Sequence, residues 1–353
     1  MYKIEQAVEL CHLTSKNRLI RSAVHSFLGN KDGTMTKAEY DMYETLAKND
    51  VGMIITGHCS VAPTGRANEE QINIYDDIYI PQFTKACEIV HAYGAKFIVQ
   101  INHAGPRAVG IEDYADVVEG EIKKHRYARE LRVDEIRAIV QAFIAAAVRV
   151  QKAGCDGVQI HAAHSYLLSR FIDATFNQRT DEYGGSIKNR FRICEEIIRG
   201  IKKACGEGFP VLIKINNDSE TDNEAYGMDM VYMLKKSKEL GVELVECSGV
   251  DFISRPRTDT LYYLDRVAKL RREVNIPMSL VGGVRSLADM ETVLDSGIDM
   301  VSIGRPFICE PDLLPRLLAG QEKAKCLSCS KCFAIPHIRS GVRCVFQRNL
   351  GKK

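Results

Sequence analysis

Residues 135–168 read EIRAIVQAFIAAAVRVQKAGCDGVQIHAAHSYLL. The first twenty, 135–154, place apolar residues at helical spacing and close on Gly154, a residue type that ends helices. GVQIH (157–161) is too short for another helix and reads as a strand. The same rhythm runs outward in both directions. LIRSAV (19–24), GMIITG (52–57) and KFIVQI (96–101) precede it; VLIKI (211–215), ELVEC (243–247), MSLVGG (278–283) and MVSIG (300–304) follow it. Several of these runs look near-continuously apolar rather than alternating, as parallel strands buried on both faces do. Eight strand–helix units over about 300 residues predict an α/β chain folded as a TIM (β/α)8 barrel. An open doubly wound sheet is the fallback, but no GxGxxG follows the first strand.

Composition narrows the function. With 45% hydrophobic and 27% charged residues and a net charge of +2, the chain has no concentrated basic face of the kind that binds nucleic acid. No uncharged apolar run approaches the roughly 18 residues that a bilayer span needs, so no membrane role is expected. Glu5 and Glu9 stand where a secretory signal would carry its apolar core, which points to a cytoplasmic protein.

In barrels of this kind the chemistry sits at the C-terminal ends of the strands. Those ends carry His25 after the first strand; Gln100, Asn102 and His103 after the third; His161, His164 and Tyr166 after the fourth; and Lys214 in the fifth. Gly282 and Gly283 follow the seventh strand, Gly304 and Arg305 the eighth. Backbone N–H groups and a guanidinium there suit an anion, although glycines also simply terminate strands. Two histidines three residues apart can share a metal, but no third ligand lies nearby in the sequence. His58 and His103 carry no assignment.

Of twelve cysteines, eight are scattered and read as small buried hydrophobes. The other four, Cys326, Cys329, Cys332 and Cys344, form a C-x2-C-x2-C-x11-C segment. In a reducing compartment this is a metal site before it is a disulfide framework. Zinc ribbons favour two separate C-x2-C knuckles, whereas this spacing suits the corners of a 4Fe-4S cubane, with zinc as the alternative.

Taken in order, SKNRLIRSAVHSF, QINHAG, HAAHSYL, N-x-R-x-D-x-Y-G-G-S-x-x-N-R (177–190), VLIKIN, VGGV and SIGRP resemble the old yellow enzyme family of FMN-dependent ene-reductases. The resemblance covers roughly residues 10–310 and is strongest to the NADH:flavin oxidoreductase and 2,4-dienoyl-CoA reductase branch, which continues into a similar cysteine cluster. It implies FMN, NAD(P)H as hydride donor and an unsaturated carbonyl substrate. Gln100 would meet the flavin pyrimidine edge. Lys214, where many relatives carry arginine, would supply positive charge beside it, and His25 would tune its potential. His161 and His164 would grip the substrate carbonyl and Tyr166 would protonate the α-carbon. Arg179, Asp181, Tyr183, Gly184, Gly185 and Arg190 would brace the loop after the fourth strand.

Relatives with this cluster continue into a flavin and pyridine-nucleotide domain, whereas this sequence ends at Lys353. The expected organisation is an FMN-binding barrel over 1–320 and a cysteine-rich extension over 321–353. Either NAD(P)H reduces FMN directly or an electron-transfer partner protein feeds it through the cluster; a homo-oligomer stays open. The alternatives are an amine dehydrogenase-like flavoenzyme, expected to show an aromatic cage in a chain that has no Trp, and a non-redox metal-dependent barrel using His161 and His164.

Overall fold

Each of the eight short runs folds as a strand, and each ends close to where the apolar stretch ends. They are β1 (Leu19–Arg21), β2 (Met53–Ile55), β3 (Lys96–Asn102), β4 (Gly157–Ala162), β5 (Val211–Asn216), β6 (Leu244–Ser248), β7 (Met278–Val281) and β8 (Met300–Ile303). All neighbouring pairs are parallel, and pairing of β3 with β4 and of β8 with β1 closes the sheet into a barrel. The computed structural model describes the chain except residues 1, 124–125, 220–222, 251–252, 254, 256, 335–340 and 347–353.

Helices α1 (Lys37–Lys48), α2 (Ile80–His91), α3 (Val133–Lys152), α4 (Arg192–Cys205), α5 (Asn223–Glu239), α6 (Leu264–Val274), α7 (Leu287–Asp295) and α8 (Leu313–Leu318) follow the strands in turn. The predicted helix 135–154 is α3, which stops two residues before Gly154 takes up φ 81°. Its buried positions Ile136, Val140, Phe143, Ala147 and Val150 recur at helical spacing against the barrel wall.

Two separate cores show which way each strand side chain points. Val99, Val158, Ile160, Ile213, Ile215 and Val245 belong to the large core between barrel and helices. Ile20, Met53, Ile55, Ile98, Leu212, Leu244 and Met300 form a second core inside the barrel. A hairpin of Val8–Glu9 and Thr14–Ser15, not foreseen from the sequence, closes its lower end with Val8 and Leu13.

The strands therefore do alternate, contrary to the near-continuous apolar reading. Side chains on a strand face opposite sides in turn. In β3 the inward series is Ile98, Gln100, Asn102; in β5 it is Leu212, Lys214, Asn216; in β6 it is Leu244, Glu246, Ser248. Inside the barrel, apolar residues at the bottom give way to polar residues at the top. Two further elements were also not foreseen: Cys59–Ser60, added beside β3, and a small sheet of Ala115–Asp116, Gly120–Lys123 and Arg126–Glu130.

Among the described residues no helix is long and apolar enough to cross a membrane.

Candidate active site

The polar end of the barrel opens into a cavity of about 570 Å³, within the range of small-molecule and cofactor sites. Every strand-end residue singled out for a cofactor or for catalysis lines it: His25, Gln100, His161, His164, Tyr166, Lys214, Gly282, Gly283, Gly304 and Arg305.

A buried polar chain runs beneath its floor. Gln100 Nε2 donates to Gln159 Oε1 at 2.7 Å, Gln159 Nε2 donates to Glu246 Oε2 at 3.0 Å, and Lys214 Nζ lies 3.2 Å from that same oxygen. Lys214 also donates to Ser22 Oγ at 2.9 Å. Parallel pairing puts Gln159 opposite Gln100 and Lys214 opposite Glu246, so strand register alone assembles the chain. Glu246 was missed in the sequence because ELVEC reads as one apolar strand. Its second oxygen, Oε1, has no protein partner among the described residues.

The wall carries histidines. His164 and Ser165 have φ of 61° and 57°, left-handed backbone that non-glycine residues hold only under constraint. The turn brings the His164 ring to 5.2 Å from the His161 ring, and the Tyr166 ring to 5.0 Å from the latter. His164 Nε2 pairs with Ser248 Oγ at 2.8 Å, while His161 Nδ1 is buried with no protein partner among the described residues. Burial, reinforced by neighbouring cationic groups, drives both imidazoles well below their ordinary range, so both are neutral. Burial pushes the Tyr166 phenol up, with Arg107 acting against it. Tyr166 is therefore a neutral acid at physiological pH.

His25 Nε2 meets the Asn68 amide (2.8 Å to Nδ2, 3.0 Å to Oδ1), and burial lowers its pKa to about 4. Its ring stacks on that of His58 at 4.8 Å. His58, left unassigned in the sequence, lines the cavity and reaches Tyr166 Oη with its Nε2 at 3.2 Å. Asn68 and Arg107 were also missed. His58 stands three residues past the end of β2, so the strand-end rule would have found it. His103 is different: it accepts from Gly105 N–H, packs where a Gly65 side chain would stand, and does not line the cavity.

At the far end Gly282 and Gly283 have φ of 144° and 78°. A side chain on Gly283 would come within 2.5 Å of Leu261 N. Among the described residues the N–H groups of Gly283 and Gly304 meet no protein acceptor. Arg305 Nη1 donates to Ser328 O and Ser330 Oγ, and thereby draws the C-terminal segment over the barrel, where Ser328 and Phe333 complete the cavity wall. Val342 N–H donates to Ser26 O at 2.8 Å in the same way. The end of β6 contributes Ser248 and the loop after it Val250 and Ile253; the rest of the loop's described part lies outside the cavity, Arg255 standing over the rings of Tyr262 and Tyr263.

Cys326, Cys329, Cys332 and Cys344 line one small pocket beside Arg305, together with Cys309, and all are free thiols. No three of these sulfurs come within 4.8 Å of one another. The braces after β4 are structural: Arg179 donates to Leu131 O at 2.8 Å, Asn177 to Tyr183 O at 2.8 Å and Arg190 to Ile172 O at 2.7 Å.

Residues 6–324 match the NADH:flavin oxidoreductase / NADH oxidase family. The chain is 32% identical over 334 residues to an NADH oxidase of Thermoanaerobacter brockii, covering 90% of this chain and 51% of that one. It is 31% identical over 313 residues to an NADPH dehydrogenase of Bacillus subtilis (strain 168), covering 88% of this chain and 92% of that one. The chain thus spans about half the length of the first relative and nearly all of the second. Among solved structures, a 2-naphthoyl-CoA reductase in complex with 2-naphthoyl-CoA superposes with TM-score 0.87 at 21% identity, over 97% of this chain and 56% of that one. An old yellow enzyme homologue from Zymomonas mobilis superposes with TM-score 0.80 at 23% identity, over 92% and 95%. Sequence match and barrel agree, and the chain belongs to the NADH:flavin oxidoreductase / NADH oxidase family, the family of the old yellow enzymes.

Proposed function

We propose that the protein is an FMN-dependent ene-reductase acting on the C=C bond of an α,β-unsaturated carbonyl compound or an enoyl or dienoyl thioester. The observation that carries this reading is a neutral phenol, Tyr166, beside two neutral imidazoles, His161 and His164, at the mouth of a cavity whose floor holds Lys214. The residues fit FMN on their own chemistry. His161, whose buried Nδ1 has no protein partner among the described residues, lines a ligand-sized space, and the unused N–H groups of Gly283 and Gly304 stand beside Arg305 where a phosphate would sit. Gln100 would meet the flavin pyrimidine edge, Lys214 would offset the negative charge gained on reduction, and His25 would lie against the ring system.

The bound FMN would supply the hydride chemistry, from NAD(P)H to the substrate β-carbon. The chain's own residues do the rest. A neutral His161 or His164 donates an N–H to the carbonyl oxygen and stabilises the enolate charge that builds there. Tyr166 gives its proton to the α-carbon. Family membership sets aside a non-redox metal enzyme, and among the described residues no third ligand gathers with His161 and His164.

For the segment 321–353 we propose a cysteine-rich extension to an FMN barrel over 1–320, holding a 4Fe-4S cluster on Cys326, Cys329, Cys332 and Cys344. The C-x2-C-x2-C-x11-C spacing favours a cubane, which places each cysteine on a different iron. Arg305 borders both the cavity and the thiol pocket, which favours, as a second reading, an electron-transfer partner that feeds the flavin through this segment.

The test is Tyr166→Phe in FMN-loaded enzyme under anaerobic conditions. Bleaching of the flavin by NADH or NADPH should persist while reoxidation by 2-cyclohexen-1-one falls by roughly 100-fold or more, the scale of a lost general acid. Protein that takes up no FMN, or a variant that reduces the enone at the wild-type rate, overturns the reading.

A further inference from the structure

We propose that His58 is a positioning residue for the acid, a fixed-tautomer imidazole whose Nε2–H donates to Tyr166 Oη, turns the phenolic proton toward the substrate and holds the phenolate left after transfer. This rests on the reading of Tyr166 as the proton donor.

The tautomer follows from the hydrogen bonds of Gln71. Its Oε1 accepts the Ala67 N–H at 2.5 Å, and its Nε2 lies 3.0 Å from the His58 carbonyl oxygen and 2.7 Å from His58 Nδ1. A flipped amide would set N–H against N–H at Ala67 and oxygen against oxygen at His58, so the amide orientation is determined by the backbone. His58 Nδ1 is therefore an acceptor. A neutral imidazole with an acceptor at Nδ1 carries its proton on Nε2, the nitrogen 3.2 Å from Tyr166 Oη.

The surroundings keep the ring neutral. It is buried, stacks on His25 at 4.8 Å and lies 6.2 Å from the His161 ring; His164 and Lys214 add to the field that disfavours its charge. Arg107 stands 5.7 Å over the Tyr166 ring. No Asp or Glu is among the described residues that line the cavity. A protonated His58 would have no carboxylate to meet.

Tyr166 Oη thus accepts from His58 and keeps its own proton for the cavity. In the transfer the Tyr166 O–H bond breaks and a C–H bond forms at the α-carbon of the substrate, whose β-carbon has received hydride from the reduced flavin. The electron pair stays on Oη as phenolate, facing the His58 N–H and Arg107, and the proton is regained from water.

Two variants separate this role from packing. His58→Phe keeps the stack on His25 but removes the N–H, and His58→Gln restores a donor at about the same reach. In FMN-loaded enzyme, reduction by NAD(P)H and reoxidation by ferricyanide, which needs no carbon protonation, should stay within twofold for both. Reoxidation by 2-cyclohexen-1-one should fall roughly 10- to 100-fold in His58→Phe, the scale of a lost hydrogen bond to a charged acceptor, and recover most of that in His58→Gln. A His58→Phe enzyme that is as fast as wild type with the enone, while Tyr166→Phe is slow, overturns the role of His58. A fast Tyr166→Phe overturns the acid assignment instead. Nitrogen-15 NMR of the histidines in the wild-type protein provides a measurement independent of folding of the variants: a neutral Nε2–H tautomer for His58 is expected, and an Nδ1–H tautomer or an imidazolium at pH 7 refutes the proposal.

Discussion

Glu246→Gln is the sharpest probe of how the barrel floor is held. Lys214 and Glu246 are 3.2 Å apart at 3% and 0% side-chain exposure, so neither charge is relieved by water. The substitution preserves shape and removes only the charge, leaving an ammonium with Ser22 Oγ and one amide oxygen. Breaking a buried ion pair in this way costs about 3–5 kcal/mol. With an unfolding entropy of about 2.1 cal/mol/K per residue, 353 residues convert a 3–5 kcal/mol loss into a melting temperature about 4–7 °C lower. Calorimetry at pH 7 checks it, and a variant within 1 °C of wild type would refute the reasoning.

Burial lowers His25 and His103 from an ordinary 6.5 to about 4, so the unfolded chain binds the extra protons below 6.5. Stability should be intact above pH 6.5 and decline as pH falls toward 4, by about 3 kcal/mol per histidine at most, seen as a lower urea midpoint at pH 5 than at pH 7; equal midpoints contradict it. Gly283→Ala forces a side chain onto φ 78° and against Leu261 N, a strain of about 1–3 kcal/mol at the edge of the cavity. Its FMN dissociation constant, measured by flavin fluorescence, should rise at least tenfold, and unchanged affinity would remove this loop from the phosphate site. Cys329→Ser should cost the anaerobically purified protein most of its iron and acid-labile sulfide, whereas stoichiometric zinc in the wild type would replace the cluster reading.

Local patterns carried much of this protein. The eight apolar runs, the glycines at 282 and 283 and the histidines at 161 and 164 could all be placed by counting along the chain, because a strand's length and its end are properties of a few consecutive residues. Glu246 and His58 were overlooked for opposite reasons. Glu246 is one polar residue in an apolar stretch, and its inward direction is decided only when β6 pairs with β5. His58 stood at a strand end, but its meaning lies in Tyr166, 108 residues away.

The sequence by itself determined the barrel, the order of its strands and the residue types offered at their ends, since short apolar runs alternating with amphipathic helices have few other ways to bury their surface. The tertiary structure decided which of those residues meet: Lys214 with Glu246, Tyr166 with His58, and Arg305 with the segment that carries the cysteines. Such pairings depend on strand register and on loops that cross between distant units, and no periodicity within one element encodes a contact with another.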